Sequence, residues 1–182
     1  MSGAAHTLLI SGSLRSGSTN TAVLRTALEL DGVNAVLYDG MAELPHFNPD
    51  NDLEGQPVHP AVAKLRAQIA QADALLICTP EYAGAVPGSL KNLLEWTVGD
   101  GCLNGKPTAW FNGSGSPTGA ADAHASLRKV LGYVDAEIVE QACRQIPVPR
   151  HAVGPEGTIV DPEIRAQIGT ALTALAARAA YR

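Results

Sequence analysis

The chain has 182 residues, of which 46% are hydrophobic and 17% charged, enough apolar content for a sizeable core. Its net charge of −5 argues against nucleic acid or an anionic membrane as the main partner. No apolar run approaches the roughly 20 residues of a membrane helix, and the N-terminus lacks the features of a secretory signal.

The alternation of apolar segments and polar loops predicts five strands and five helices. The strands are expected at residues 7–11, 33–38, 74–79, 106–112 and 136–141, and Asp161 begins the last helix as an N-cap followed by proline. The helices present apolar faces formed by Val23, Ala27 and Leu30; Val62, Leu65 and Ile69; Leu90, Leu93, Leu94 and Trp96; Leu127, Val130, Leu131 and Val134; and Ile164, Ile168, Leu172 and Leu175. Together they predict one α/β domain over residues 1–182, with a parallel, doubly wound, five-stranded sheet in three layers and strand order 2-1-3-4-5.

In such a sheet, a ligand binds beyond the carboxyl ends of the strands, between strands one and three. The loops at residues 12–20, 79–88 and 112–119 all lie at that edge. A longer polar stretch at 39–60 indicates either a functional loop or lid, or a mobile surface excursion. Lys91 and Asn92 are expected on a water-facing helix surface, whereas Trp96 and Trp110 are expected in the core.

The first of these loops reads GSLRSGSTN from Gly12 to Asn20 and joins a strand to a helix. Unpaired N–H groups at a helix N-terminus favour an anion, and Arg15 adds a charged fork of donors. Neither G-x-x-x-x-G-K-[ST] nor G-x-G-x-x-G is present, so the loop favours one terminal phosphate of a smaller ligand. The alternative is an ordinary turn with Ser18 as an N-cap.

The number and spacing of the cysteines and histidines indicate where the protein is located and whether it binds a metal. The 3 cysteines are widely spaced without a C-x-x-C pair, which predicts a reduced cytoplasmic protein with Cys78 buried in a strand. The 5 histidines form no H-x-x-x-H pair, so a metal site is not expected.

Two segments together resemble the NAD(P)H-dependent FMN reductases, a family of flavodoxin-like fold that includes quinone and chromate reductases and azoreductase-like enzymes. GSLRSGSTN at 12–20 is similar to their G-S-L-R-x-x-S-x-N loop. TPEYAGAVPGSLKNLLEW at 79–96 is similar to their T-P-E-Y-N-x-x-x-P-G-x-L-K-N-x-x-D-W segment. The resemblance extends over essentially the whole chain.

The resemblance implies FMN as cofactor and NADPH or NADH as co-substrate. It implies a phosphate site formed by Ser13, Arg15, Ser18, Thr19 and Asn20, and an isoalloxazine edge lined by Pro80, Glu81, Tyr82, Ala83 and Gly84, with Ser114 completing the pocket. The cofactor carries the chemistry, so no side chain is expected to be catalytic. From the residues alone, a solvated turn is the alternative for Glu81 and Tyr82.

Two departures from the family pattern bear on substrate preference rather than on FMN binding. Ala83 stands where relatives have Asn, and Ser116 and Pro117 replace more permissive residues in the third loop.

The implied function is an oxidoreductase in which FMN takes hydride from the nicotinamide and passes electrons to a small acceptor by a ping-pong route. Quinones, free flavin, azo and nitro compounds and chromate are the expected acceptors. The resemblance also implies a homodimer or homotetramer, with the third helix and residues 98–103 near the interface. The alternatives are a non-catalytic flavodoxin-like electron carrier, against which the modest charge and the single aromatic Tyr82 argue, and a binding or regulatory module without turnover.

Overall fold

A computed structural model describes residues 5–116 and 118–181. Its strands are β1 His6–Ser11, β2 Asn34–Leu37, β3 Ala74–Cys78, β4 Pro107–Asn112, β5 Glu137–Ile138 and β6 Arg144–Gln145. Its α-helices are α1 Thr19–Leu28, α2 Pro60–Gln71, α3 Gly88–Glu95, α4 Ala121–Tyr133 and α5 Pro162–Ala179. All strand pairs are parallel in the order β2-β1-β3-β4-β5, with β6 also beside β4, so the predicted order is confirmed. No helix within these two described ranges is long and apolar enough to cross a membrane.

The central strands are covered by helices on both faces of the sheet, which explains their continuous apolar runs. Every residue of β3 and β4 is buried. Successive residues of β1 point to opposite faces: Leu9 packs in the layer with α1 and α5, whereas Leu8 and Ile10 pack in the layer with α2, α3 and α4. The doubly wound, three-layer prediction is therefore confirmed.

The predicted helix faces are largely those that pack on the sheet. The buried members are Val23, Ala27, Val62, Leu65, Ile69, Leu90, Leu93, Leu94, Trp96, Leu127, Leu131, Ile164, Ile168, Leu172 and Leu175. Val130 and Val134 are only partly buried, because they border a groove between α3 and α4. Asp161 caps α5 as predicted, accepting hydrogen bonds from two first-turn N–H groups at 2.9 and 3.1 Å.

The predicted fifth strand at 136–141 is divided in two by an irregular segment. Ile138 pairs with Thr108 and Arg144 pairs with Phe111, so residues 139–143 lie opposite residues 109–110 of β4. A 3-10 turn at Glu140–Ala142 takes up the extra length and buries its last residue. The sheet accordingly has six strands rather than the five predicted.

The long polar stretch at 39–60 is held at α3 by hydrogen bonds between its backbone and the side chains of Asn92 and of Trp96, the residue that follows the helix. Both ends of the Asn92 amide are used: Nδ2 donates to the Pro45 carbonyl at 2.9 Å, and Oδ1 accepts from the Phe47 N–H at 2.8 Å. Trp96 Nε1 donates to the same Pro45 carbonyl at 2.8 Å, and its ring meets Phe47 edge-on at 5.0 Å. The prediction that Asn92 faces water is therefore wrong, because the helix surface it occupies is covered by this stretch.

A second anchor joins the same stretch to α2 through an ion pair. Arg66 Nη2 lies 2.8 and 2.7 Å from the two carboxylate oxygens of Asp52. The two side chains are only 12% and 7% exposed, respectively. Gly99 is required beside them, since a Cβ there would come 2.1 Å from Asp52 Oδ2. With anchors on two helices, the structure favours a fixed loop over a mobile excursion.

Candidate active site

The carboxyl ends of β1, β3 and β4 meet at one edge of the sheet, as predicted. The Gly12 N–H donates to the Cys78 carbonyl at 2.8 Å, which carries the β1–β3 pairing into the first loop. A Cβ at Gly12 would lie 2.1 Å from Thr79 Oγ1. Glycine is therefore needed for the first and second loops to approach each other this closely.

A cleft of about 360 Å³ opens at this edge, a size typical of small-molecule sites. Its lining comes from the first, second and third loops and from the chain after β6: Thr19, Asn20, Thr79, Pro80, Glu81, Gly113, Ser114, Gly115, Ala120, Val148 and Arg150. The structure thus brings together five residues predicted from three separate loops, namely Thr19, Asn20, Pro80, Glu81 and Ser114.

The start of α1 offers hydrogen-bond donors to this cleft. Ser18 occupies the N-cap position, but its side chain makes no capping hydrogen bond. The N–H groups of the first helical turn have no partners within the helix. Ser18 therefore stands at the N-cap, as the alternative of an ordinary turn has it, but without the side-chain cap, so the helix start keeps donors that an anion could use.

The side chain of Asn20 is held by a hydrogen bond from a buried thiol at the end of β3. Cys78 Sγ donates to Asn20 Oδ1 at 3.3 Å. Burial raises the pKa of the Cys78 thiol to about 12, so the sulfur stays protonated and remains a donor. Because its oxygen is occupied, Asn20 has its amide NH₂ group to offer as a donor to the cleft.

Ser13 and Arg15 line a second cavity of about 290 Å³, on the β2 side of the first loop. Arg15 Nη2 donates to the Gly17 carbonyl at 3.1 Å, so the guanidinium is folded onto its own loop. Ser13 Oγ lies 3.3 Å from the Arg15 N–H and 3.4 Å from the hydroxyl of Tyr82. The structure therefore does not place Ser13 and Arg15 in the cleft with Thr19 and Asn20.

Glu81 has a structural partner that the sequence did not reveal. Its Oε2 accepts a hydrogen bond from the Ala123 N–H at 3.0 Å, in the first turn of α4. The N-cap residue of α4 is Ala120, which has no side chain able to cap. The carboxylate replaces the missing cap and complements the positive end of the helix, so the solvated-turn alternative for Glu81 is wrong.

The tip of the second loop is a two-residue hairpin. Tyr82 and Ala85 exchange backbone hydrogen bonds at 3.1 and 3.2 Å. Between them, Ala83 has φ 52° and Gly84 has φ 73°, the positive φ pair typical of a type I′ turn. Ala83 and Gly84 do not line the cleft, and Tyr82, Ala83 and Gly84 are all exposed.

The third loop is shaped by Asn112, which sequence reasoning missed. Asn112 Nδ2 donates to the Gly119 carbonyl at 2.8 Å, and its Oδ1 accepts from the Ser114 N–H at 3.0 Å. Gly119 is required, because a Cβ there would come 1.9 Å from Ser114 Oγ. The signal that could have found Asn112 is an asparagine at the end of a buried strand, directly before a glycine-containing loop. Ser116 N–H donates to Ser114 Oγ at 3.3 Å, whereas Pro117 lies outside the described residues.

The donor set of the cleft fits FMN. The first-turn N–H groups of α1, the Thr19 hydroxyl and the Asn20 amide suit a phosphate monoester. Pro80, Gly113 and Gly115 supply a wall of small residues that lets backbone approach a flat ring.

Residues 5–147 match the family model described as NADPH-dependent FMN reductase. The chain belongs to this family. It is 37% identical over 170 residues to an NAD(P)H-dependent FMN reductase of Pseudomonas aeruginosa, covering 91% of this chain and 90% of the relative. It is 35% identical over 158 residues to a quinone reductase of Escherichia coli, covering 82% of each. These findings confirm the prediction of an oxidoreductase that uses FMN and a nicotinamide donor.

A solved structure confirms the fold. A flavoenzyme NAD(P)H:acceptor oxidoreductase from Paracoccus denitrificans superposes with a TM-score of 0.74 at 24% identity. The match covers 94% of this chain and 97% of that one, so the flavodoxin-like architecture extends over nearly the whole sequence.

Proposed function

We propose that the chain is one FMN-binding domain that uses NADPH or NADH to reduce small acceptors, with quinones as the main class. The observation that carries this proposal is the cleft at the carboxyl edge, whose donors fit FMN in a chain of this family. The similarity to a quinone reductase supports the choice of quinones. Free flavin, azo and nitro compounds and chromate are further candidate acceptors.

The residues proposed to hold FMN come from all three loops. Ser13, Arg15, Ser18, Thr19 and Asn20 would bind the phosphate; Pro80, Glu81, Tyr82, Ala83 and Gly84 would border the ring; Ser114 would complete the pocket. The support is strongest for those that line the cleft, such as Thr19, Asn20 and Ser114. When bound, FMN would supply the redox chemistry, which is to accept a hydride from the nicotinamide and to pass electrons to the acceptor. The protein binds and orients the cofactor and leaves one face open to substrates.

We further propose that the two substrates bind to that one open face in turn. The nicotinamide must then leave before the acceptor enters, which is a ping-pong order. Purified protein should be yellow, should bleach with NADPH or NADH and should recolour with a quinone. Initial rates at several quinone concentrations should give parallel reciprocal plots. Intersecting plots would mean that both substrates bind together, and bleaching without multiple turnovers would indicate an electron carrier instead.

The proposed assembly is a homodimer or homotetramer in which α3 and residues 98–103 lie near the interface. Two apolar side chains border the groove between α3 and α4 and are highly exposed, Val98 at 60% and Tyr133 at 82%. Burial of such side chains against another subunit would be favourable. Light scattering during size exclusion tests this, and a monomer at micromolar concentration would contradict it. We also propose a cytoplasmic location, since Cys78, Cys102 and Cys143 are free thiols.

A further inference from the structure

One wall of the cleft comes from the chain that follows β6. A Cβ at Gly115 would lie 3.7 Å from the Val148 carbonyl and 3.9 Å from Pro149, so the third loop packs directly on this segment. Val148 is buried, and the next exposed side chain, Arg150, faces the cleft as part of its lining. The matched family region ends at residue 147, so Arg150 lies outside what the family match covers.

The backbone at Arg150 is fixed rather than free. A 3-10 turn begins there, closed by the Ala152 N–H donating to the Pro149 carbonyl at 2.9 Å. Ala152 is buried and accepts a hydrogen bond from the Val160 N–H at 3.1 Å. The neighbouring Ile159 N–H donates at 2.7 Å to the hydroxyl of Thr26, which is buried in α1. The segment that carries Arg150 is thereby attached to the helix whose N-terminus faces the cleft.

Within the described residues, the Arg150 guanidinium has no carboxylate partner in the cleft. The charged side chains that line it are Glu81 and Arg150. Glu81 is already engaged at the start of α4, through the Ala123 N–H. Arg150 makes no ion pair or side-chain hydrogen bond within residues 5–116 and 118–181. Arg15, the cation that the motif supplies, lines the other cavity and donates to the Gly17 carbonyl.

From this arrangement we infer that Arg150 is a further cofactor-binding residue, which donates to the phosphate monoester of FMN from the β6 side of the cleft. This inference rests on the proposed function. A guanidinium and a phosphate dianion form charge-assisted, two-point hydrogen bonds, which neutral hydroxyls and amides cannot match. Arg150 therefore adds a full positive charge within the cleft, where Thr19 and Asn20 carry none, to the charge that Arg15 brings from the neighbouring cavity.

The test compares FMN with riboflavin, which carries the same ring without the phosphate. Full-length protein stripped of flavin is titrated with each ligand at fixed ionic strength, and binding is followed by flavin fluorescence. Arg150→Gln should raise the Kd for FMN about 5- to 20-fold while changing the Kd for riboflavin less than about twofold. Arg150→Lys, which keeps the charge but cannot form the two-point hydrogen bond, should recover only part of the FMN affinity. The matched control Arg144→Gln removes an exposed arginine that does not line the cleft, and it should change neither Kd.

Three results would overturn the inference. An unchanged FMN Kd in Arg150→Gln would show that the guanidinium does not reach the phosphate. An equal loss for FMN and riboflavin would show that the substitution only disturbs the wall. An unchanged FMN Kd with a raised KM for NADPH, but not for NADH, would assign the arginine to the 2′-phosphate of the donor. A parent protein that binds no FMN would overturn the proposed function as well, whereas FMN binding by the parent with an insensitive variant overturns this inference alone.

Discussion

Replacing Ala83 with Asn should stabilise the protein through the backbone of the second loop. Ala83 has φ 52° and precedes Gly84 with φ 73°, in the two-residue turn closed by Tyr82 and Ala85. The left-handed region costs an ordinary L-residue roughly 1–2 kcal/mol, whereas Asn visits it readily, and Asn-Gly is the preferred pair for a type I′ turn. Relief of half that cost would raise the free energy of unfolding by about 0.5–1 kcal/mol, or Tm by about 1–4 °C for a chain of this size.

The measurement is urea and thermal unfolding of the flavin-free protein, so that ligand binding does not contribute. The matched control is Ala63→Asn at an exposed position of α2, where Asn should destabilise by roughly 0.5 kcal/mol because Ala is the better helix former. Ala83→Val should also destabilise, since a β-branched residue tolerates positive φ poorly. Stability that is unchanged or lower in Ala83→Asn would refute the turn assignment. If Asn instead acts by bonding the flavin, FMN should bind up to about tenfold tighter without any gain in the flavin-free protein.

Two further substitutions test contacts that position the loops. Glu81→Ala should lower the free energy of unfolding by about 1 kcal/mol because α4 loses its cap, and Glu81→Gln should lower it less. Equal stability of the parent and both variants in urea would contradict the capping role. Asn92→Ala should cost about 1–3 kcal/mol and speed proteolysis within residues 45–59, because the Phe47 N–H loses its acceptor and Pro45 a donor. The control is Lys91→Ala, which removes an i,i+4 ion pair with Glu95 and should cost less than about 1 kcal/mol. A similar loss of stability in both variants would show that Asn92 does not anchor the stretch.

Much of the fold could be predicted because the signals are local and repeated. Apolar runs such as that of β3 mark strands covered on both faces, and the Asp161-Pro162 pair marks a helix start. The division of the edge strand escaped prediction, since the turn at Glu140–Ala142 depends on register against β4 rather than on local pattern.

The sequence by itself determined which loops meet at the candidate site, because the order of strands and helices places the carboxyl ends of the strands at one edge. It also determined the family, through two motifs whose residues lie in those loops. Only the tertiary structure decided what individual side chains contact. Asn92 and Glu81 bind backbone groups 45 and 42 positions away, and Arg150 reaches the cleft from a segment outside both motifs. Such pairings depend on how separate elements pack in space, and neither periodicity nor motif spacing encodes the distance between atoms that meet only in the folded chain.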